Sequence, residues 1–339
     1  RILDGLAGRV AAADAVVKTD DTLSLAISAE GESRVSSSRT RTSHLRLLRD
    51  GRIGFASTTG DDVVELIGHA MASAASGEEL PLFLPAAAPV PEVSTRTPQV
   101  AAAAAGTLQH LARALGDRLA RSDRRVEVWA ERSYGAVQVA NSRSVLAGYD
   151  VTLAGVGAVV ESIGAGWAPP VRVHCAAAAL PTLFEVESLV TEVGERLDPP
   201  IVGFPAPSPC AMPVCLAPRA LATFLRPLKA ALSGYEALLG DSPLRGRLYQ
   251  QVLHQAISVT DDPLTPGRPG SRPVDDDGVP SRTLPLVTAG QLTGLLVDLQ
   301  VGARAGVPST GHAWRFLDAA PRIGFTNCIL LVRLRKHRP

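Results

Sequence analysis

Asp50-Gly51-Arg52-Ile53-Gly54-Phe55-Ala56-Ser57-Thr58 has the pattern of a tight turn that leads into a β-strand. Glycine accepts the positive φ that a two-residue hairpin requires, so Asp50-Gly51 predicts the turn and Ile53–Ser57 the returning strand. Before the turn, residues 34–48 predict a second and a third extended segment. Residues 23–29 alternate apolar with small or polar side chains, as a strand does. The turn therefore joins antiparallel strands.

Helices are predicted on both sides of these strands. Thr59 is followed three positions later by Asp62, a spacing typical of a helix N-terminus. Apolar residues then recur every three or four positions as far as Ala74, and the helix is expected to end near Gly77. Residues 6–17 are rich in alanine and valine and predict a short opening helix. Helices and antiparallel strands in mixed order indicate an α+β fold rather than a doubly wound sheet.

A proline-rich stretch divides the chain, because proline excludes regular structure where it recurs so closely. We predict an N-terminal α+β domain over residues 1–80, a linker over 81–99, a central α+β section over 100–205 and a β-rich C-terminal domain over 206–339.

The remaining elements are predicted from periodicity and from turn residues. The helices are expected over residues 100–119, 180–197 and 218–232. The strands are expected over 125–139 and 143–161, with turns at 133–135 and 141–142, and over 214–216, 254–260, 284–288 and 292–299. A second proline-rich joint is expected over 199–213, and a turn at 289–290.

Composition excludes several classes of protein. The chain has 339 residues, with 34 Lys and Arg against 33 Asp and Glu, so no charge excess supports sequence-independent binding to nucleic acid. Four cysteines are too few for a disulfide scaffold. The apolar stretch 151–160 has about half the length of a membrane helix, and the first residues lack a secretory signal. We therefore expect a cytoplasmic protein without a membrane or nucleic-acid partner.

Candidate chemical groups are sparse. None of the seven histidines forms a local pair, and Cys210, Cys215 and His174-Cys175 lack the spacing of a zinc site, so ordinary buried thiols are favoured over a structural zinc. The acidic runs at 261–262 and 275–277 favour turn chemistry over cation binding. Residues 309–312 could bind a backbone group or a carboxylate, although a polar loop is favoured. The residues alone do not predict an enzyme.

Several segments in order together resemble the TldD/PmbA family, also called the TldD/TldE metallopeptidases or modulators of DNA gyrase. The N-terminal segment is 50–58, given above. The C-terminal segments are Ser233-Gly234, Asp241-Ser242-Pro243-Leu244, Val259-Thr260-Asp261-Asp262-Pro263, Asp275-Asp276-Asp277-Gly278-Val279-Pro280, Leu286-Val287-Thr288-Ala289-Gly290-Gln291-Leu292, Pro308-Ser309-Thr310-Gly311-His312-Ala313-Trp314-Arg315 and Thr326-Asn327.

The resemblance implies a role without metal chemistry in this chain. In the family, the TldD type carries H-E-x-x-x-H and a further cysteine ligand, whereas the TldE (PmbA) type lacks the metal motif. Here the two histidine positions fall on Arg226 and Ala231 and the glutamate position on Pro227, none of which can bind zinc or act as a general base. The chain is therefore identified as a TldE-like, non-catalytic subunit with no cofactor of its own.

The resemblance also implies a partner and a substrate. A TldD-like H-E-x-x-x-H subunit would form a heterodimer with this chain and hold the zinc, and the substrate would be an unfolded or extended peptide, including precursors of peptide natural products. The family-motif residues expected to line the cavity or the interface are Asp261, Asp262, Asp275, Asp277, Gly278, Ser309, Thr310, Gly311, Arg315 and Asn327. The sequence ends about a dozen residues after Asn327, so a C-terminally shortened family member is expected.

A second function remains open at this point. The same fold without a peptidase partner would be a non-enzymatic peptide-binding protein, so the sequence leaves open whether the chain works as part of an enzyme.

Overall fold

The computed structural model describes residues 2–163, 169–197, 214–317 and 319–333. The joint predicted over 199–213 lies outside these ranges. Within them, no helix combines the length and the apolar character needed to cross a bilayer. The predicted α+β class is confirmed, since helices pack with sheets whose strands are antiparallel.

The larger sheet contains six antiparallel strands in the order β3-β2-β1-β4-β5-β6. They are β1 Ala12–Ile27, β2 Ser33–Arg49, β3 Arg52–Thr58, β4 Arg124–Asn141, β5 Leu146–Ser162 and β6 Val171–Ala177. The hairpin predicted at Asp50-Gly51 joins β2 to β3, and both turn residues have a positive φ, of 51° and 77°. These angles are those of a type I′ turn, whose twist matches that of the strands.

Helices cover one face of this sheet. They are α1 Val63–Ala75, α2 Pro98–Ala101, α3 Ala105–Leu119 and α4 Leu183–Leu197. Asp62 caps α1 by accepting hydrogen bonds from the amides of Val64 and Glu65. The apolar side of α1 packs on β1 and β2, and α3 and α4 pack on the other half of the sheet through β4, β5 and β6.

Residues 214–333 form the C-terminal section, which packs on the opposite face of the large sheet. Its helices are α5 Pro218–Ala231, a π-helical turn Tyr235–Leu239 and α6 Leu299–Ala305. Its strands are β7 Ile257–Asp261, β8 Leu284–Thr288, β9 Gln291–Leu292, β10 Ala313–Phe316, β11 Ala319–Ile323 and β12 Cys328–Val332. Four strands form a sheet in the order β12-β7-β8-β9, and β10 pairs with β11.

The opening helix predicted over residues 6–17 is wrong. A single 3₁₀ turn at Asp4–Leu6 is followed by β1, which begins at Ala12. Four consecutive residues, 13–16, are buried because the helices cover one face of the strand and the C-terminal section covers the other. A strand buried on both faces loses the alternation by which strands are recognised.

Five further expectations are corrected. Residues 34–48 belong to one strand, β2, and the turn predicted at 133–135 lies inside β4. The helix predicted over 100–119 is interrupted between α2 and α3, where Ala104 is extended. Residues 214–216 form no strand, and the strand predicted over 292–299 is only β9, after which Leu299 begins α6. Isolated turn residues such as Ser133 and Gly135 do not break a strand that is paired on both sides.

The large sheet crosses the proline-rich stretch. Strand β1 pairs with β4 from Asp14↔Asn141 to Ile27↔Val128, so residues before and after 81–99 form one sheet. The domain boundaries at residues 80, 100 and 205 therefore stay a prediction. The large sheet is continuous across the first two of them.

Candidate functional site

A buried cluster of charges joins the large sheet to the C-terminal section. Arg46 Nη2 lies 2.5 Å from Asp14 Oδ2 and 2.8 Å from Asp277 Oδ1, and Arg315 Nη2 lies 2.8 Å and 3.2 Å from the same two oxygens. All four side chains are at most 5% exposed. Beside them, Lys18 Nζ lies 2.7 Å from Asp276 Oδ2. Two arginines and two aspartates thus balance each other where the two layers meet.

The pKa values of two aspartates in this region, Asp14 and Asp275, are shifted in opposite directions. Burial by itself would raise the pKa of Asp14, but Arg315 and Arg46 outweigh it, so the pKa of Asp14 is lowered. Burial and the neighbouring Asp277 raise the pKa of Asp275 to about 7, against the attraction of Arg272. Asp275 accepts hydrogen bonds from the amides of Asp277, Val279 and Ala313, as its predicted turn role requires.

The buried side chain of His44 makes the free energy of unfolding depend on pH. Burial, with the charges of Lys18 and Arg315, lowers its pKa from 6.5 to about 4. The unfolded chain therefore binds this proton at a higher pH than the folded chain, and stability is lost as the pH falls from about 6.5 to about 4. We expect His44→Gln to remove about 2 kcal/mol of this loss. Urea unfolding of the unchanged chain and of the His44→Gln variant, each at pH 7 and pH 4.5, measures this loss of stability. An equal loss in the two proteins would contradict the lowered pKa of His44.

Asp261 holds the C-terminal loops together. It accepts hydrogen bonds from the Thr326 amide and from His312 Nε2, the latter at 3.0 Å, and His312 Nδ1 lies 2.9 Å from Thr310 Oγ1. The order hydroxyl, imidazole, carboxylate resembles a nucleophilic triad, but all three residues are buried. Thr310 Oγ1 also accepts from the Val297 amide at 2.7 Å. The arrangement is therefore a structural one.

The other motif residues also serve turns and loops. Asp262 accepts from Thr265 and Thr283, and its carbonyl accepts from Asn327 Nδ2. Gly278 has φ +85° and lies against Val139 of β4 and Val145 of the turn between β4 and β5. Ser309 Oγ donates to the Val297 carbonyl and accepts from the amide of Gly311, whose φ is +79°.

A groove lies between the end of the large sheet and the C-terminal section. We call it the interface groove; its volume is about 820 Å³. One wall comes from β3, α1 and the segment after α1, and the other from the π-helical turn, α6 and β11. The lining residues are Arg46, Ile53, Phe55, Ser73, Ser76, Gly77, Glu78, Leu80, Ala230, Ser233, Tyr235, Glu236, Asp298, Gln300, Val301, Arg304, Pro321, Arg322 and Ile323.

The interface groove combines apolar surface with a few charges. Phe55 and Tyr235 are 47% and 51% exposed on its opposite walls. Arg46 joins it to the buried charge cluster, and burial raises the pKa of Asp298, which caps α6 by accepting from the Val301 amide. Its walls also carry Glu78, Glu236, Arg304 and Arg322, so both apolar and charged side chains line it.

The predicted motif residues do not form the walls of this groove. None of the ten lines it, but Asp277 binds Arg46, which does, and Arg315 binds the same Asp277 oxygen. The contact of the ten motif residues with a substrate or a partner stays a prediction. Sequence reasoning missed Asp14 and Arg46. Their signal is a charge between two apolar residues, since Ala13 and Ala15 flank Asp14 and Leu45 and Leu47 flank Arg46.

The residues at the metal-motif positions do not fit a zinc ion. Arg226 and Pro227 are exposed on α5 and Ala231 is buried, and none of them has a ligand atom that zinc prefers. In the described parts of the chain, no three His, Cys, Asp or Glu residues converge as metal ligands. The end of α5 contributes Ala230 to the interface groove.

Comparison with known proteins agrees with this architecture. Residues 209–335 match the profile of the PmbA/TldA metallopeptidase C-terminal domain. TldE from Thermococcus kodakarensis has the same fold, with a TM-score of 0.84 at 19% identity over 99% of this chain and 79% of that chain. A candidate modulator of a DNA gyrase from Thermotoga maritima gives a TM-score of 0.78 at 18% identity, over 94% and 73% of the two chains.

A protein named Metalloprotease, from Methanothermobacter thermautotrophicus, is 31% identical over 93 residues, which are 27% of this chain and 20% of that relative. The chain thus matches about a fifth of that relative's length. The C-terminal section therefore carries a PmbA/TldA metallopeptidase C-terminal domain, and the chain as a whole has the fold of TldE.

Proposed function

We propose that this chain is the non-catalytic, TldE-like subunit of a heteromeric, zinc-dependent peptidase that acts on unfolded or precursor peptides. The observation that carries the proposal is the replacement of the metal motif by Arg226, Pro227 and Ala231 on a helix whose end borders an open groove. A TldD-like partner in the cytoplasm would hold the zinc that supplies the hydrolytic chemistry. This chain would bind and orient the peptide.

The interface groove supports the binding role. Phe55 and Tyr235 can pack on apolar side chains of a peptide, and polar groups along both walls can hydrogen-bond to its backbone. A site of this composition tolerates many sequences, as precursor peptides require. Processing of peptide natural products is one use that fits.

Co-expression with an H-E-x-x-x-H homologue from the same genome tests the proposal. A stoichiometric complex should form, contain zinc, and cleave unfolded casein, whereas the homologue alone should not. A homologue that is equally active without this chain would overturn the subunit role.

A substitution in the groove tests peptide binding separately. Ser76 is exposed at the end of α1 and lines the groove, so Ser76→Trp should fill it and weaken binding of fluorescein-labelled casein by about tenfold or more, or about 1.4 kcal/mol. Fluorescence anisotropy measures the change. Ala72→Trp, exposed on the same helix but outside the groove, is the matched control. Equal affinities for the two variants would place binding elsewhere.

The second function is a peptide-binding protein without a peptidase partner. The groove is lined by residues of this chain, and this function would use it without a second subunit. Recovery of the chain without an H-E-x-x-x-H protein from its native host, with casein binding retained, would favour this function.

A further inference from the structure

Strand β2 has an unpaired edge. It contains 17 residues and pairs with β1 along almost its whole length, whereas β3 contains only seven and pairs with Ser43–Arg49. Residues 33–42 therefore have β1 on one side and no strand of the described chain on the other. We call these ten residues the open edge; at about 3.4 Å per residue they extend for roughly 34 Å. Residues 33–41 are all exposed.

The register shows which backbone groups face outward. The Ser28 amide donates to the Glu32 carbonyl at 2.9 Å, which closes the β1–β2 hairpin with a hydrogen-bonded pair. Such pairs alternate along an antiparallel ladder, so even-numbered residues of β2 bond to β1. The backbone groups of Val35, Ser37, Arg39 and Arg41 then point away from β1. No partner for these groups occurs within the described ranges.

The open edge lacks most of the features that protect exposed strands. It contains no proline, and its register with β1 runs without a bulge from Ala12↔Leu48 to Ile27↔Ser33. No helix or loop of the described chain covers it. Proteins normally block such an edge, because a regular strand with free amides and carbonyls accepts another strand.

The charge of the open edge defines what it can accept. Arg34, Arg39 and Arg41 lie in it, and no Asp or Glu occurs between Ser33 and Ser43. Arg39 is 81% exposed and uses Nε and Nη2 for Asp21, and Arg41 bonds through Nη1 to the exposed Asp61 at 3.2 Å. Both guanidinium groups keep further donors. Pairing with a second copy would bring two sets of three arginines together, whereas a segment with carboxylates gains attraction.

We propose that the open edge binds an acidic, extended segment of the peptide substrate as a seventh strand of the large sheet. This proposal rests on the proposed function, because it takes the bound segment to be part of the peptide substrate. Backbone hydrogen bonds at Val35, Ser37, Arg39 and Arg41 give affinity without a fixed sequence, and the arginines select carboxylates. The bound segment lies end to end with β3, whose Thr58 pairs with Ser43. A substrate is thus held at a second place, apart from the interface groove.

Peptide addition is tested with the full chain and two capped ten-residue peptides, one alternating Glu with Thr and the other Lys with Thr. The Glu-Thr peptide should bind at least about tenfold more tightly by fluorescence anisotropy, and 0.5 M salt should weaken it because charges are screened. Ser37→Pro should weaken binding by about tenfold or more. It removes an outward amide and costs no bond to β1, as proline in an edge strand allows.

The control variants separate the edge from the rest of the protein. Ser37→Ala keeps the amide and should bind within about twofold of the unchanged chain, while Arg34→Glu should weaken the Glu-Thr peptide. Circular dichroism and urea unfolding check that Ser37→Pro is folded. Ala72→Trp, which lies outside both sites, should leave this binding unchanged. The casein assay of Ser76→Trp reports on the interface groove, so failure of the edge and failure of the proposed function give different results.

Three results would overturn the proposal: no binding of the Glu-Thr peptide, equal binding by the Ser37→Pro and Ser37→Ala variants, or a dimer of the unchanged chain that Ser37→Pro converts to a monomer. The last would show that a second copy occupies the open edge.

Discussion

Arg315→Met should lower the free energy of unfolding by about 3–5 kcal/mol. The guanidinium of Arg315 contacts both Asp14 and Asp277, and all three side chains are at most 3% exposed. Without it, Arg46 remains as the cation nearest two buried carboxylates. Removing one member of a buried ion cluster is costly because the remaining charge has lost its partner and cannot reach water. Urea unfolding at pH 7 measures the change as a lower midpoint at unchanged slope.

Arg39→Met is the matched control for this prediction. It removes an arginine from an ion pair on the same sheet, but Arg39 is 81% exposed. An exposed pair contributes at most about 1 kcal/mol, so a much smaller loss is expected. A loss below about 1 kcal/mol for Arg315→Met would mean that the cluster is hydrated rather than dry.

Gly54→Ala should destabilise the protein by about 2–3 kcal/mol. A Cβ at this position of β3 would lie 2.2 Å from the carbonyl oxygen of Ala70 and 2.7 Å from the Cβ of Ala74. Both neighbours belong to α1, and the oxygen is part of its backbone, so the helix must move away from the strand. Ile53 and Phe55 flank this glycine and line the interface groove, so peptide affinity should fall as well. Chemical unfolding and casein binding measure the two effects.

Gly68→Ala is the control within the same helix. No atom lies within 4 Å of the position that its Cβ would take. Alanine in the middle of a helix is favoured over glycine by about 0.5–1 kcal/mol, so this variant should be more stable than the unchanged chain. A loss in both variants would show that α1 tolerates neither change and that the close approach at Gly54 is not the cause.

Local chemistry explains which parts of the fold were predictable. The Asp50-Gly51 turn and the helix start predicted over 59–62 depend on residues within a few positions, and both were confirmed, with Asp62 rather than Thr59 as the residue that caps the helix. The start of β1 was mistaken for a helix because burial on both faces depends on the C-terminal section, more than two hundred residues away. The break before α3 at Ala104 has no proline or glycine to announce it.

In the candidate site, too, local features were predictable from the sequence and long-range contacts were not. The tight turn around Asp275 and Gly278 was predicted from its residues, since the aspartate bonds to amides two and four positions later. The contact of Asp277 with Arg46 was not, because 231 residues separate them. Nor could the sequence show that none of the ten motif residues would line the interface groove, since nothing local distinguishes a lining residue from one that holds a turn.

The position of β1 in the large sheet has a consequence for how the chain folds. The Ala13 amide bonds to Ser142 Oγ, 129 residues away, and the whole β1–β4 ladder joins similarly distant segments. Strand β1 leaves the ribosome long before β4 and must therefore wait, paired only with β2, until its second neighbour has been made. Contacts of such long range slow folding, and the unpaired side of β1 is exposed to wrong partners in the meantime. We expect early assistance from a chaperone, followed by late closure of the sheet when β4 and β5 arrive.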